Sequence, residues 1–370
     1  MCMLAKLKVA AKNLDWFLMM SVLLLVCFGL AEVYSVSYSQ GLGGMAVFKK
    51  QLLAVILGVI LMVAIIFVDY YFFYSYNHYF YLMAVALLIA VLFFGSVING
   101  TKGWFSLWGF GFQPVELAKF FLLLFLARYF ADTPGSATPL KRLVLSGLGV
   151  GLLIFLVLMQ PDFGSAAILF AVWFFLVLFL GFPRKYIVIM FISLLLAFVL
   201  GWQFFLKDYQ KDRIISFVSP KTTLSSDYNV NQAMIAVGAG GWFGRGLGFG
   251  SQSQLKFLPE AKNDFIFAVI SEELGFLGVA LALSFFIVIF YRILANIKKI
   301  NNDFGIFFLL GTATLIFIEM FINIGMNMGL LPVVGIGLPF LSYGGSSMLA
   351  HLLIIGLAES IIIRAKIKNY

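Results

Sequence analysis

Two cysteines and two histidines in 370 residues leave little from which to build a disulfide framework or a metal cluster. Cys2 and Cys27 fall at the N-terminus and inside the first apolar run, and His78 and His351 stand far apart, so no Cys/His ligand spacing is present. Charge is scarce too. Asp, Glu, Lys and Arg make up 11% of the chain against 63% hydrophobic residues, and the mean hydropathy is +1.05, which excludes a soluble globular domain. The chain reads as a polytopic membrane protein. Its first apolar run, LDWFLMMSVLLLVCFGLAEVYS, follows Lys6, Lys8 and Lys12, and no small-residue cleavage site comes after it. It is therefore expected to stay as a helix rather than leave as a signal peptide.

Apolar segments long enough to cross a bilayer core of about 30 Å fall near 14–35, 48–68, 77–96, 114–131, 143–160, 164–182, 185–205, 264–291, 304–329 and 343–363. The expected fold is thus all-α, a single integral-membrane domain over residues 1–370 with ten transmembrane helices. With the N-terminus inside, fourteen Lys and Arg fall in short cytoplasmic segments and three, Lys49, Lys50 and Lys102, in short outer loops. That asymmetry puts both termini in the cytoplasm. Most of the +9 net charge is then a topology signal, and it gives a nucleic-acid partner no support.

One outer segment, about 206–263 between the seventh and eighth helices, is too long to be a connector. Its start, LKDYQKDRIISFV, suits a helix lying in the interface. Its glycine run, GAGGWFGRGLGFG, does not satisfy G-x-G-x-x-G and follows no strand, which excludes a dinucleotide fold. Those glycines suit either close backbone approach or plain loop flexibility.

Several charges then need a reason. In QPVELAKFF, Glu116 and Lys119 are three apart on one helical face, either as a neutralised pair that pins helices or as part of a polar cavity. Upstream, NGTKGWFSLWGFGFQP is an outer loop with Trp104 and Trp108 at the interface. MQPDFGSA sets Asp162 at an outer break, where capping the next helix is the plainer reading. Glu319 and Glu359 read as structural acids within the bundle, and Gly325 and Gly329, four apart, suit close helix packing. In KFLPEAKNDFIFAVISEELGF, Asp264 stands at the outer mouth of the eighth helix, where Asn263 or Asp264 could cap it. The loop also delivers Asp264 to the same outer level as Glu116, Lys119 and Asp162, where it could act as general base toward a lipid-borne hydroxyl. Glu272 and Glu273, two to three turns deeper, suit structural pairing.

The string FLPEAKNDFIFAVISEELGFLG resembles the signature of the SEDS proteins, the shape, elongation, division and sporulation family that includes RodA, FtsW and SpoVE. Further likenesses run the length of the chain: NGTKGWF, FQPVELAKF, QPDFGSA, YQKDRIISF, AVGAGGWFGRGLGFGSQSQLKFLPE and NIGMNMGLLPVVGIGLPFLSYGGSS. GSQSQLKFLPE and YQKDRI lean toward the RodA branch, while KNDFIFAVI is as similar to FtsW. The resemblance implies a multi-pass protein of the bacterial cytoplasmic membrane. It would polymerise lipid II, an undecaprenyl-pyrophosphate-linked disaccharide-peptide, into glycan strands beside a class B penicillin-binding protein that cross-links them. It carries the family's essential aspartate onto Asp264, its loop tryptophan onto Trp104, its ion pair onto Glu116 and Lys119, and its QPD acid onto Asp162. Two positions depart from the pattern. Gly103 stands where relatives commonly carry Arg, and Lys262-Asn263 where many have His-Thr.

The implied reaction is an inverting glycosyl transfer. It needs a base for the acceptor hydroxyl and positive charge for the leaving pyrophosphate, for which Lys119, Lys102, Arg245 and Lys256 are candidates, with a divalent cation (Mg or Mn) as a further expectation. A lipid flippase or transporter would also fit ten spans, but no internal repeat is visible and the candidate residues gather at outer ends. A non-catalytic scaffold of the cell-wall machinery is the third reading, and it would leave Asp264 replaceable.

Overall fold

A computed structural model describes residues 12–39, 41–98, 100–107, 110–133, 138–192, 225–255 and 257–368, together with 203 and 211. The chain runs through α1 (Trp16–Ser39), α2 (Gly41–Phe67), the short α3 (Tyr70–Ser75) and α4 (Asn77–Phe94). A small sheet follows, of β1 (Ser96–Ile98), β2 (Thr101–Leu107) and β3 (Phe110–Phe112). Next come α5 (Pro114–Asp132), α6 (Pro139–Leu158) and α7 (Phe163–Phe179), a helical stretch at 184–192, then α8 (Ser225–Ala239) and the single turn α9 (Ser251–Gln254). Three long helices close the chain: α10 (Ile266–Ile297), α11 (Asp303–Asn327) and α12 (Gly345–Lys368).

Nine of the ten expected spans coincide with helices. Of the seventh, expected over 185–205, residues 184–192 are helical and the rest lie almost wholly outside the described residues, as does the expected interfacial helix LKDYQKDRIISFV apart from Lys211. Among the described residues, seven helices are both long and apolar enough to cross a membrane. Side chains such as Phe17, Ile60 and Leu148 point outward, where lipid replaces water. The interior is filled by α5, α11 and α12, whose Leu124, Phe308 and Leu352 are wholly buried.

Two departures from the sequence reading lie on the outer side. NGTKGWFSLWGFGF contributes strands to a three-stranded antiparallel sheet with β2 in the middle, pairing Ser96 with Trp104 and Ser106 with Gly111. The long outer segment is also not all loop. α8 packs on α10 with Ala233 and Ala236 fully buried, a small-residue face spaced for a helix.

The glycine run serves close approach rather than flexibility. α10 breaks at Gly275 (φ 65°, ψ −161°), and the Glu272 and Glu273 carbonyls accept from the N–H groups of Arg245 and Gly246, each at 2.9 Å. Gly244 has φ +75°, and a Cβ there would strike the Glu273 carbonyl, so no other residue lets the loop close on the break. The carboxylates finish the joint. Glu272 accepts from the Gln252 and Ser253 N–H groups at the start of α9, and Glu273 from Ser35, Gln254 and the Gly248 N–H. These acids are structural, as expected, with loop N–H groups and hydroxyls as partners.

Gly325 and Gly329 do allow close packing, since a Cβ on Gly325 would meet the Leu331 side chain at 2.7 Å and one on Gly329 the Met234 sulfur of α8 at 2.9 Å, and Gly329 also ends the helix. Gly329 is left-handed (φ +69°), and the Leu330 N–H returns to the Gly325 carbonyl at 2.8 Å, the bond pattern that ends a helix with an αL residue. The chain leaves α11 here for the irregular stretch 332–338.

At the opposite end of the bundle, Asp15 caps α1 and accepts a bidentate contact from Arg292 of α10 (Nε–Oδ1 2.9 Å, Nη2–Oδ2 2.7 Å). Asn296 also donates to the Asp15 carboxylate, and the Asp15 N–H donates to Glu359 Oε2 of α12 at 3.1 Å. Glu359 is thus a helix-end partner, as its isolation in an apolar helix suggested.

Candidate active site

Three helix N-termini and two loops enclose a cavity of about 350 Å³. α5 brings Glu116 and Lys119, the α7 entry brings Asp162 and Ser165, and the turn before α10 brings Glu260, Asn263 and Asp264. The other walls come from Trp104 of β2, Glu319 of α11, residues 333–337, and Ser342 to Ser347 at the start of α12. Asp264, Trp104, Glu116, Lys119 and Asp162, picked from four separate stretches of sequence, therefore share one cavity.

Asp264 is half-buried and is fixed through its backbone. Asn323 and Asn327 of α11 both donate to its carbonyl, at 2.8 and 3.0 Å, and Asn323 also donates to the Ile336 carbonyl at 2.7 Å. Two amides one helical turn apart thus tie the Asp264 turn to the irregular loop. Ser342 adds a third tie, donating to the Asn263 carbonyl at 2.6 Å. The cap position of α10 falls on Phe265, which makes no side-chain capping bond, and the Ala268 N–H of the first turn donates to Asn327 Oδ1 at 3.2 Å. Gly335 has φ +74°, and a Cβ there would meet Asp264 Oδ2 at 3.6 Å, so the loop passes directly beside the carboxylate.

Asp162 does cap its helix. It accepts from the Ser165 N–H at 3.0 Å and hydroxyl at 2.7 Å, and Gln113 approaches it at 3.4 Å. Capping and lining the cavity are combined in one residue. Trp104 lies across Gly111 of the neighbouring strand, whose added Cβ would meet the indole at 3.2 Å. Gly103, the departure from the family pattern, is buried against Gln160.

Lys119 belongs to a larger group than the pair expected. Its Nζ lies 2.8 Å from Glu116 Oε1 and 2.7 Å from Glu319 Oε1. Glu319 Oε2 meets His351 Nε2 at 2.6 Å, and His351 Nδ1 lies 2.7 Å from the Ser347 carbonyl. All four side chains are buried. A carbonyl can only accept, so Nδ1 carries a proton, and one further proton lies between Nε2 and Glu319. Lys119 is committed to two carboxylates and is not positioned as a spare cation for phosphate.

The other expected cations are not gathered here. Lys102 does not line the cavity, and its N–H donates to the Gln160 carbonyl at 3.2 Å. Arg245 donates to Ser251 at 2.6 Å beside the α10 break, away from the cavity lining. Lys256 and Trp108 lie outside the described residues. Instead, Lys262 stands next to the lining, its Nζ 5.8 Å from the ring centre of Tyr343, and burial pushes the Tyr343 phenol up from its ordinary pKa. Glu319 and His351 were missed as site residues because their partners are far away in sequence. The only local cue was an ionisable residue in an otherwise apolar helix.

Residues 15–367 match the family of cell cycle proteins comprising FtsW, RodA and SpoVE. Stage V sporulation protein E of Bacillus subtilis (strain 168) is 36% identical over 359 residues, covering 92% of this chain and 95% of that protein. Peptidoglycan glycosyltransferase MrdB of Escherichia coli (strain K12) is 33% identical over 351 residues, covering 94% and 93%. Among solved structures, a chain from a peptidoglycan synthase complex that coordinates polymerization and crosslinking superposes with a TM-score of 0.80 at 27% identity, covering 95% of this chain and 98% of that one. The rod shape determining protein RodA of Thermus thermophilus does so with a TM-score of 0.70 at 26% identity, covering 94% and 96%. By sequence along nearly its whole length and by fold, the chain belongs to the FtsW, RodA and SpoVE family of cell cycle proteins.

Proposed function

We propose that the chain is a peptidoglycan glycosyltransferase that polymerises lipid II at the outer face of the bacterial cytoplasmic membrane, with Asp264 as general base. The observation that carries this reading is the single cavity shared by Asp264, Asp162, Trp104 and the Glu116–Lys119 pair. The names of the relatives agree with it, and the likeness to a synthase-complex chain supports a cross-linking partner, the class B penicillin-binding protein.

Asp264 takes the proton of the acceptor sugar 4-hydroxyl as that oxygen bonds to the donor's anomeric carbon. The bond from that carbon to the pyrophosphate breaks with inversion, and the lipid pyrophosphate leaves. The N-termini of α5, α7 and α12 point their positive dipole ends at the cavity, which favours a pyrophosphate there. Lys262 is the side-chain cation best placed to add to that field. The buried charges around Lys119 hold α5, α11 and α12 in register, so the donors and Asp264 keep their spacing.

Among the described residues, no group of three or more His, Cys, Asp or Glu is arranged to hold a metal. The divalent ion expected from the sequence would be held between the substrate's phosphates and one or two carboxylates, as magnesium commonly is, and no step above depends on it. The test is purified protein in liposomes with labelled lipid II, alone and with a class B penicillin-binding protein. Glycan polymer is expected; its absence with every partner would favour translocation or scaffolding.

A further inference from the structure

α5 connects the candidate active site to a second cavity. Its N-terminal turns carry Glu116 and Lys119, and its C-terminal turns carry Arg128 and Asp132, beside a pocket of about 640 Å³ between α4, α5 and α6. A 19-residue helix is about 28 Å long, so this pocket lies at the other membrane face, on the side where the basic residues of the short loops gather. Its lining holds three cations, Arg128, Lys141 and Arg142, and one carboxylate, Asp132.

That carboxylate is already taken. Asp132 pairs with Arg128 at 3.1 Å and accepts from the Tyr74 hydroxyl at 2.6 Å, and Arg128 also donates to the Tyr74 and Ser75 carbonyls. Among the described residues, neither Lys141 nor Arg142 has an ion-pair partner. Arg142 lies against the Phe182 ring at 5.9 Å, and its Nε is buried without a hydrogen-bond partner. A buried guanidinium N–H left without an acceptor is costly. Both cations sit in the first turn of α6, whose Thr138 makes no side-chain cap, so the positive end of a 20-residue helix adds to their field. Part of the wall is apolar, with Leu82, Phe125 and Leu145 continuing from the cationic mouth toward the bilayer, and Asn77, His78, Tyr81, Tyr129 and Thr133 complete the lining.

An anion site next to an apolar slot at the membrane interface has the chemistry of one ligand class. We propose that this pocket binds an anionic phospholipid of the cytoplasmic leaflet, its phosphate held by Lys141 and Arg142 and one acyl chain lying along Leu82, Phe125 and Leu145. A soluble phosphate would account for the cations but not for the apolar wall. A zwitterionic lipid would leave the surplus positive charge unbalanced. The bound lipid would brace the α4–α5–α6 contact from the face opposite the candidate active site.

The test is thermal melting of the full chain in detergent with added phosphatidylglycerol, phosphatidylcholine or inorganic phosphate at equal concentration, with bound lipid counted by native mass spectrometry. Phosphatidylglycerol should raise the melting temperature by about 4 °C or more, the size expected for a ligand well above its dissociation constant, and remain as one bound copy. The other two should not. Lys141→Gln with Arg142→Gln should abolish the shift. Leu145→Trp leaves the charge intact and fills the acyl slot, and it should also abolish the shift; it decides the matter if the double variant fails to fold. Equal shifts from both lipids, a full shift from inorganic phosphate, or a shift that survives Leu145→Trp would each overturn the proposal.

Discussion

The two ends of the bundle both bury charge, but they do different things with it. At the inner end Asp15 is saturated by Arg292, Asn296 and the α1 backbone, and the Glu359 beside it accepts the Asp15 N–H. Among the described residues, these groups line neither of the two cavities. At the outer end Glu116, Lys119 and Glu319 are as tightly paired, but they line a space of about 350 Å³ that also holds Asp162 and Asp264. Buried charge by itself therefore identifies a fastening, and charge bordering an open polar volume identifies a place for chemistry. Glu272 and Glu273 make the same point at short range: they lie within three turns of Asp264, and they close on loop N–H groups and hydroxyls instead of facing the cavity.

The contrast breaks most visibly at Lys119. Lys119→Met strands two carboxylates away from water and should destabilise the protein by about 3–5 kcal/mol, with polymerisation lost. Adding Glu319→Gln should return part of that stability, since the two positions share one interaction. Strictly additive losses in thermal melts would show that the pairing carries no weight.

At the inner end the effect should be smaller and confined to stability. Asp15→Asn removes a charge-assisted contact to an Arg292 that keeps some solvent access, at a cost of about 1.5–3 kcal/mol, with polymer per folded molecule unchanged. Burial alone would raise the Asp15 pKa, but the bonds from Arg292, Asn296 and the Leu18 N–H hold it below the ordinary 3.8. This contribution is then fully present above that value and is lost as pH falls below it through the folded-state pKa. A melting temperature of the Asp15→Asn variant that differs from wild type equally at pH 7 and pH 2 would contradict the assignment.

A comparable effect, again confined to stability, belongs to Glu272→Gln. Glutamine keeps one oxygen for one of the two α9 N–H groups but turns its NH2 toward the other, so the loss should be about 1.5–3 kcal/mol, and polymerisation should follow stability alone. A loss of activity far beyond the loss of stability would move Glu272 from the fastenings to the site.

Much of this was legible because the cues were local. Asp162 before a helix reads as a cap, hydropathy alone marks the spans, and the order of motifs along the chain carries the family. What was not legible depended on distance or on backbone. Glu319 is 200 positions from Lys119, so no spacing rule joins them. Gly325 and Gly329 have the spacing of a packing motif and do pack closely, but only the sign of φ at Gly329 shows that it also ends the helix. Lys102 and Arg245 are basic and fall in outer loops, which says nothing of where a loop aims them. α8 was hidden in a segment whose glycines and polar residues look like loop until α10 provides a surface for Ala233 and Ala236.

The most direct measurement compares glycan-strand formation from lipid II by the wild type and Asp264→Asn, matched for thermal stability in the same detergent and with the same partner. Asparagine keeps the shape of the side chain and leaves untouched the backbone carbonyl held by Asn323 and Asn327, but it cannot take the proton. Polymer should fall by about 10²- to 10⁴-fold while folding and lipid II binding persist. Near-normal polymer from Asp264→Asn would contradict the account and return Asp264 to the fastenings.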